Sequence, residues 1–142
     1  MNFSSALDYC ESLGAKLFVP ASAEEESFVW NLYPNKDYIN NENNGWLWIN
    51  AVALDSSNLH NLTQFDGEEL EYTNWDPGQP NTVSSAAGNW AFIRSVGSSD
   101  NPAWIDTPSG AHNLDFVCKV RGWYGELNSL WLKLSPVSHL CI

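Results

Sequence analysis

The chain has 142 residues, of which 44% are hydrophobic and eight are tryptophan, so it is long enough for one domain with a sizeable core. Six basic residues against seventeen acidic residues give a formal net charge of −11, a sign that repels nucleic-acid backbones and anionic lipid. No apolar run reaches the length of a membrane span, and the first residues lack the pattern of a signal peptide. We therefore expect neither a nucleic-acid partner nor membrane insertion by this chain.

A first helix is predicted over residues 4–13. Leu7, Cys10 and Leu13 are spaced by three residues, which places them on one helical face. Serines precede them and favour the start of a helix, while Gly14 favours its end. We therefore expect one short helix here.

A second helix is predicted between Ser22 and Pro34. Ser22 and Glu25 have the spacing of a capping box, and an apolar stripe follows them. Glu24, Glu25 and Glu26 fall in the first turn, where the helix dipole favours negative charge. We interpret the three glutamates as solvated surface residues rather than as a carboxylate site.

The remainder of the chain consists of short extended segments separated by polar loops. Runs of branched and aromatic residues predict strands at residues 46–54, 90–96, 103–106 and 115–120. Two prolines exclude regular structure from residues 76–81, so we expect a long loop there. Helices followed by strands, without alternation, favour an α+β fold with antiparallel pairing.

Four tryptophans in the predicted helical and strand region carry much of its apolar area. They are Trp46, Trp48, Trp75 and Trp104. A fold with so much irregular chain needs large buried side chains, and aromatic rings bury the most area per residue. We therefore interpret these tryptophans as core residues rather than as a surface for ligand stacking.

Five segments of the chain occur in an order that resembles the C-type-lectin-like domain. They read YCESLGAKLFVPASAEEESF, WLWINA, YTNWDPGQPN, AWID and DFVC, and YTNWDPGQPN is the most specific of them. The resemblance spans about residues 4–119 and implies a C-type-lectin-like fold over residues 1–120. That fold has two helices, then short antiparallel strands and a long ligand-binding loop. Residues 121–142 form a tail with no counterpart in the family.

The family's N-terminal strand, which precedes the first helix, is missing from this chain. One edge of the sheet would then remain unpaired. The tail could cover that edge, form a contact surface, or result from a faulty gene prediction. We favour the last alternative, which would also account for the missing signal peptide and for an unpaired Cys141.

The cysteines are Cys10, Cys118 and Cys141, which lie too far apart for a zinc site built from closely spaced pairs. They favour one long-range disulfide with one thiol left over. The resemblance implies that Cys10 is bonded to Cys118, and the chain-entropy model credits a loop of that length with about 4 to 5 kcal/mol. The family's second disulfide would join positions near Trp90 and Ser109, and neither position is cysteine.

A site for calcium and sugar is implied by the resemblance at the long loop. In the family, a calcium ion there bridges protein oxygens to two sugar hydroxyls, which requires a hard cation surrounded by carboxylate and amide oxygens. Gln79, Asn81 and Asp106 match the family's ligand positions, so we expect them to bind both the sugar and the calcium ion. By the same resemblance, Pro80 would follow a cis peptide bond.

Two of the family's calcium ligands are absent from this sequence. The middle acidic ligand falls near Gly88, and the asparagine beside the aspartate is replaced by Ile105. Because calcium affinity follows the number of charged oxygens around the ion, we expect a weak or absent calcium site. Asp76 or Asp100, in the bordering loops, would be the substitutes.

The resemblance implies a recognition domain that binds a glycan or glycoprotein. We expect it to be extracellular, either secreted or in the ectodomain of a membrane protein, and the sequons at Asn2 and Asn61 agree with that route. Gln79 is typical of galactose-preferring members and Asn81 of mannose-preferring ones, so the sugar class stays open. The alternative is a calcium-independent member that recognises a protein ligand, which Ile105 favours.

Catalysis is not expected from this sequence. The histidines His60, His112 and His139 are scattered, and neither a zinc-protease motif nor a serine nucleophile motif is present. Glu68 and Glu69 lie beside an Asp-Gly turn, where adjacent acidic residues are usually solvated.

Overall fold

The computed structural model describes residues 1–33, 45–95 and 101–120, together with two short strands at residues 133–134 and 140–141. Two helices and seven strands occur within the described residues. In chain order they are α1 (Phe3–Ser12), β1 (Ala15–Leu17), α2 (Ala23–Leu32), β2 (Trp46–Ala53), β3 (Asn89–Ser95), β4 (Pro102–Thr107), β5 (Asp115–Val120), β6 (Lys133–Leu134) and β7 (Leu140–Cys141). Both predicted helices are therefore confirmed, and the α+β class with them.

The start of α1 differs from the prediction. Asn2 caps the helix, because its Oδ1 accepts a hydrogen bond from the Ser5 backbone N–H at 2.8 Å, and the serines lie inside the first turn. Asparagine and serine are equally good caps, so composition alone does not choose between them. Gly14, with φ of +69°, ends the helical segment as predicted.

The cap of α2 follows the sequence pattern with one change. The Ser22 hydroxyl accepts a hydrogen bond from the Glu25 N–H, as the capping box predicts. The return bond from the backbone to Glu25 comes from the Ala21 N–H, one residue earlier than Ser22, at 2.6 Å. Both contacts pair helix-terminal groups that would otherwise lack partners.

The strands form one mixed sheet with the order β4-β3-β2-β5-β7-β6, and β1 also pairs with β5. Pairing is antiparallel between β1 and β5, between β2 and β3, and between β3 and β4, as expected. The pairing of β2 with β5 is parallel, through Leu47 opposite Asp115 and Trp48 opposite Phe116. β1 was not predicted, because three residues between two helices give no periodic signal of their own.

The edge of β5 that the sequence analysis left unpaired is paired in the structure. β7 lies parallel to β5, with Val117 opposite Leu140 and Cys118 opposite Cys141, and β6 pairs with β7. Of the three explanations for the tail, this pairing agrees with the first, in which the tail covers the sheet edge.

The core has two parts because β2 is buried on both faces. Leu47, Ile49 and Ala51 belong to one cluster together with Val29 and Trp30 of α2. Trp48 and Val52 of β2, which point to the opposite face of the sheet, belong to a second cluster with α1. The two helices therefore cover opposite faces of the sheet.

The tryptophan prediction is confirmed for the core positions. Trp48 and Trp104 are fully buried. Trp46 is partly buried and stacks on Phe92 with ring centroids 4.9 Å apart, and Trp75 is partly buried against Trp104 at 5.4 Å. Such aromatic pairs stabilise the fold beyond the area they bury.

The interpretation of the α2 glutamates as solvated is wrong for two of the three. Glu24 is exposed, but Glu26 is only 2% exposed. Its carboxylate accepts hydrogen bonds from the Trp104 indole N–H, the Tyr72 hydroxyl and the Asn74 side-chain amide. Consecutive helical residues are separated by about 100°, so a helix that packs on a sheet cannot keep all three side chains in water.

Glu25 is the second buried glutamate, at 7% exposure. The ammonium group of Lys119 on β5 lies 2.6 Å from its carboxylate. This ion pair connects the start of α2 to β5, so the charge of Glu25 stabilises the contact between these two elements.

The predicted disulfide is present. Cys10 of α1 and Cys118 of β5 are bonded, with their Cα atoms 5.3 Å apart at a sequence separation of 108. Both sulfurs lie in the second core cluster, where they are shielded from solvent.

Candidate ligand-binding loop

A long loop of residues 76–88 leads into β3. It begins beside β4, where the Asp76 N–H donates to the Trp104 carbonyl at 3.0 Å, and a turn closes through the Gln79 N–H and the Asp76 carbonyl at 2.9 Å. The peptide bond between Gln79 and Pro80 is cis, as the resemblance predicted. Asn89, the first residue of β3, ends the loop.

Asp106 on β4 lies beneath this loop and is 6% exposed. Its Oδ1 accepts the Asn81 backbone N–H at 2.8 Å. Its Oδ2 accepts the Thr82 backbone N–H at 2.9 Å and the Asn89 side-chain amide at 2.8 Å. The carboxylate therefore fastens the loop to the sheet through three donors.

The same contacts determine the pKa of Asp106. Burial by itself would raise the pKa of this carboxyl, but the N–H groups of Asn81 and Thr82 and the amide of Asn89 stabilise the anion and leave the pKa lowered overall. Asp106 is therefore ionised when the loop is in place.

The three residues expected at the site are neighbours in the structure. Gln79 Oε1 lies 3.5 Å from the Asp106 backbone N–H, and Asn81 is joined to the Asp106 carboxylate. They differ in access to solvent: Asn81 is exposed, Gln79 is half-buried and Asp106 is buried. The amides of Gln79 and Asn81 are the predicted ligand groups that reach the surface.

The donor set does not fit a calcium ion well. Calcium takes six to eight oxygen ligands, and the carboxylate of Asp106 is already engaged by three hydrogen bonds. Ile105 packs in the second core cluster and supplies no oxygen from its side chain. Within the described ranges, no group of three or more histidine, cysteine or acidic side chains is arranged to hold a metal.

Gly88, which lies near the expected position of the family's middle acidic ligand, is unsuited to a side chain. Its φ is +122°, and a Cβ atom built there would lie 2.7 Å from the Ala53 carbonyl oxygen. Of the expected substitutes, Asp76 faces Arg94 at 3.9 Å, and Asp100 lies outside the described residues.

Two further residues support the loop and were not predicted from the sequence. The Asn89 side chain is fully buried, donates to the Leu59 carbonyl as well as to Asp106, and leaves its Oδ1 without a partner among the described residues. His60 lies 2.9 Å from the Thr82 carbonyl through Nε2. An asparagine that opens an otherwise apolar strand was the available signal for the first; no sequence signal pointed to the second.

Aromatic packing occupies the place where the family has its second disulfide. The Trp90 ring packs directly on Gly110, because a Cβ atom built on this glycine would lie 3.0 Å from the ring. The Gly110 carbonyl also accepts the Phe3 N–H at 2.9 Å. The end of β4 is thus connected to the start of α1 by contacts that need no covalent bond.

The remaining polar residues named from the sequence do not assemble around one point. His112 lies 3.4 Å from the Thr107 hydroxyl, away from His60, and His139 lies outside the described residues. Glu68 and Glu69 are exposed, as interpreted, and Glu68 pairs with Lys16 at 3.1 Å.

Helices on both faces of a mixed sheet, a disulfide from α1 to β5 and a long loop with a cis proline define the C-type lectin fold. The family model for the Lectin C-type domain matches residues 1–120. The versican core protein of Rattus norvegicus is 31% identical over 110 residues, which cover 78% of this chain and 3% of versican. The chain belongs to the C-type lectin domain family, and it spans a small fraction of this relative's length.

Solved structures show the same fold. The mouse scavenger receptor C-type lectin carbohydrate-recognition domain is similar with a TM-score of 0.53 and 24% identity, covering 75% of this chain and 71% of that one. A calcium-independent type II antifreeze protein is similar with a TM-score of 0.57 and 20% identity, covering 76% and 70%. In the described part of this chain, no helix is long and apolar enough to cross a membrane.

Proposed function

We propose that this chain is a non-enzymatic recognition domain that acts outside the cell and binds carbohydrate through the long loop. The side-chain amides of Gln79 and Asn81 are the contact groups, and Asp106 positions them from below. Amides suit this task because each offers both donors and an acceptor to sugar hydroxyls.

The observation that carries the proposal is the engagement of Asp106. Its carboxylate accepts the backbone N–H groups of Asn81 and Thr82. The backbone of Asn81 is therefore held in place while its side chain is exposed to solvent. A loop fastened in this way does not need a metal ion to keep its shape. We therefore propose that calcium is not required for binding, and one protein of the same fold, a type II antifreeze protein, is itself calcium-independent.

A glycan array with and without a chelator tests this function, using the wild type, Asn81→Ala and Asn113→Ala. Asn81→Ala keeps the backbone N–H that bonds to Asp106, so it should remove glycan binding while the protein stays folded. Asn113 is exposed outside the loop, and its replacement should leave binding unchanged. Chelator-sensitive binding would overturn the calcium-independent part, and binding that survives Asn81→Ala would overturn the assignment of the site.

Recognition of a protein ligand is the second candidate, and two apolar side chains favour it. Val83 in the loop is 89% exposed, and Leu54, whose side chain lies beside Gly88, is 58% exposed. Exposed apolar residues beside a recognition loop are typical of protein interfaces. A silent glycan array together with retained folding would support this candidate.

An extracellular location agrees with the chemistry of the chain. The disulfide between Cys10 and Cys118 persists in oxidising compartments. We propose a secreted protein or an ectodomain, and a glycan or glycoprotein as the partner.

A further inference from the structure

A cavity of about 280 Å³ lies beside the long loop, apart from the amides of Gln79 and Asn81. Trp75, His60, Asn61, Glu69 and Thr73 are among the residues that line it. Ligand pockets generally enclose about 300 to 1,000 Å³, so this cavity suits one small group rather than a chain of sugars. Its wall combines an indole ring with polar side chains.

Asn61, in the wall of this cavity, is the first residue of the sequon Asn61-Leu62-Thr63. The Asn61 side chain is exposed, and its backbone N–H closes a turn with the Asn58 carbonyl at 3.2 Å. Leu62 is buried, and Thr63 exchanges backbone hydrogen bonds with Val52 at 2.8 and 3.0 Å. The sequon is therefore anchored to β2, and the position of Asn61 at the cavity is fixed.

We infer that Asn61 carries an N-linked glycan whose first sugar lies in this cavity against Trp75. A pyranose has an apolar C–H face that suits the half-buried indole, and its polar substituents suit the Thr73 hydroxyl and the Glu69 carboxylate. The inference rests on the extracellular route proposed above, because the transfer takes place in the secretory pathway.

The attachment step uses a lipid-linked oligosaccharide donor and the cell's transferase. The Nδ2 atom of Asn61 bonds to C1 of the first sugar, the bond from C1 to the pyrophosphate of the lipid carrier breaks, and Nδ2 loses one proton. The oxidation states of all atoms are unchanged. The product keeps the amide carbonyl of Asn61 and gains a sugar that points along the cavity wall.

The other sequon provides an internal comparison. The Asn2 side chain caps α1, where Oδ1 accepts the Ser5 N–H at 2.8 Å, and Asn2 does not line this cavity. A glycan at Asn2 would stand in solvent. Effects that depend on the cavity should therefore follow Asn61 and not Asn2.

The attachment is tested by directing the chain into the secretory pathway of eukaryotic cells with a cleavable signal peptide. Peptides of the recovered protein are treated with peptide N-glycosidase in ¹⁸O water and read by mass spectrometry. We expect the peptide containing residue 61 to carry the labelled aspartate that marks a former glycan. An unlabelled Asn61 in that material would overturn the inference.

The placement in the cavity is tested by comparing thermal unfolding of two forms. In one form an endoglycosidase leaves a single sugar on Asn61, and in the other Asn61→Gln prevents attachment. We expect the single sugar to raise Tm by about 3 °C, since a domain of this size shifts by a few degrees per kcal/mol of added contact. Ser4→Ala removes the Asn2 sequon but keeps the Asn2 cap of α1, so it serves as the control and should leave the Tm difference between the two forms of residue 61 unchanged.

Equal Tm for the two forms of residue 61 would overturn the placement, while the labelling result would still stand for the attachment. Neither result depends on ligand binding by the long loop. The glycan array with Asn81→Ala can therefore fail while this inference holds, or the reverse.

Discussion

Asp106 and Glu26 are buried carboxylates whose surroundings shift the pKa in opposite directions. Asp106 receives two backbone N–H groups and one amide, so its pKa is lowered in spite of burial. Burial raises the pKa of Glu26, and the hydrogen bonds from Trp104, Tyr72 and Asn74 offset only part of that increase. The difference arises because Asp106 accepts two backbone N–H groups, whereas the described donors to Glu26 are all side chains and offset less of its burial.

Replacement of Asp106 by Asn should destabilise the fold by about 2 to 3 kcal/mol at pH 7. An amide presents an NH₂ group to donors that now bond to an anion, so at least one buried N–H loses its acceptor. The free energy of unfolding in urea measures the effect. Asp8→Asn, on the exposed face of α1, is the matched control and should change little.

The pH dependence of the same pair checks the direction of the pKa shift. A lowered folded pKa gives stability that is present above the unfolded value of about 3.9 and is lost as pH falls through the folded pKa. The difference in the free energy of unfolding between the wild type and Asp106→Asn should therefore shrink below about pH 4. A gap that stays constant down to pH 2 would contradict the role given to the charge.

Glu26→Gln should show the opposite trend. The folded pKa of Glu26 is raised, so the wild type loses stability as pH rises from about 4.3 through that folded value, while a glutamine does not titrate. Relative to the wild type, the variant should therefore gain stability between pH 4 and pH 7. Urea unfolding at both pH values measures this, and Glu24→Gln at the exposed neighbouring position should show no such trend. If the free energies of unfolding of Glu26→Gln and the wild type changed equally between the two pH values, the raised pKa of Glu26 would be contradicted.

At the scale of elements, the junction between the long loop and β3 depends on Gly88. A Cβ there would lie 2.7 Å from the Ala53 carbonyl oxygen, closer than real Cβ contacts, and φ is +122°. A bulkier acidic residue at this position would require β2 and the loop to separate. Residue 88 therefore does not accommodate an acidic side chain without that movement.

Gly88→Ala should cost more stability than Gly78→Ala. Gly78 also has a positive φ, +88°, but a Cβ there meets nothing within 4 Å, so its replacement carries backbone strain without a steric contact. We expect a difference of about 1 to 3 kcal/mol in the free energy of unfolding, the usual cost of overpacking. Equal losses in the free energy of unfolding for the two variants would show that residue 88 and the Ala53 carbonyl can move apart at no cost.

The elements with a local pattern were predictable from the sequence, and those defined by distant partners were not. Capping residues and apolar spacing predicted α1 and α2, and runs of branched and aromatic residues predicted β2 and β5. The strand β1 exists because it pairs with β5, about a hundred residues later in the chain. Local periodicity carries no information about such a partner, nor about the parallel direction of the contact between β2 and β5.

The candidate site was predictable to a similar extent. Gln79, Asn81 and Asp106 were named from a motif, and the structure brings them together. The sequence did not show that Asp106 accepts backbone N–H groups, because motifs report side chains and not which backbone groups face them. It also gave the wrong environment to Glu26, since helical position alone does not reveal which face of α2 packs on the sheet.

For the whole molecule, the bond between Cys10 and Cys118 connects the first helix to β5, the strand that pairs with β1, β2 and β7. The loop it closes contains most of the described chain, including the long loop, the first core cluster and the buried residues of the second cluster other than Phe3, Ala6 and Leu7. In the chain-entropy model a loop of this length is worth about 4 to 5 kcal/mol, against a total stability of about 5 to 15 kcal/mol for a typical domain. The disulfide is therefore a major part of what keeps the ligand-binding loop on a folded scaffold.

Replacing Cys10 and Cys118 together by alanine should accordingly lower the free energy of unfolding by about 4 kcal/mol, with a small further loss because both side chains are buried. Urea unfolding of the double variant measures the loss, and mass mapping of the unreduced wild type should find the two cysteine-containing peptides linked. Glu11→Ala combined with Val120→Ala changes exposed positions of the same helix and strand, so it controls for substitutions in α1 and β5. If the cysteine variant unfolds at the same urea concentration as that control, the scaffold is held by its two core clusters alone, and the long loop should then keep its ligand in reducing solution.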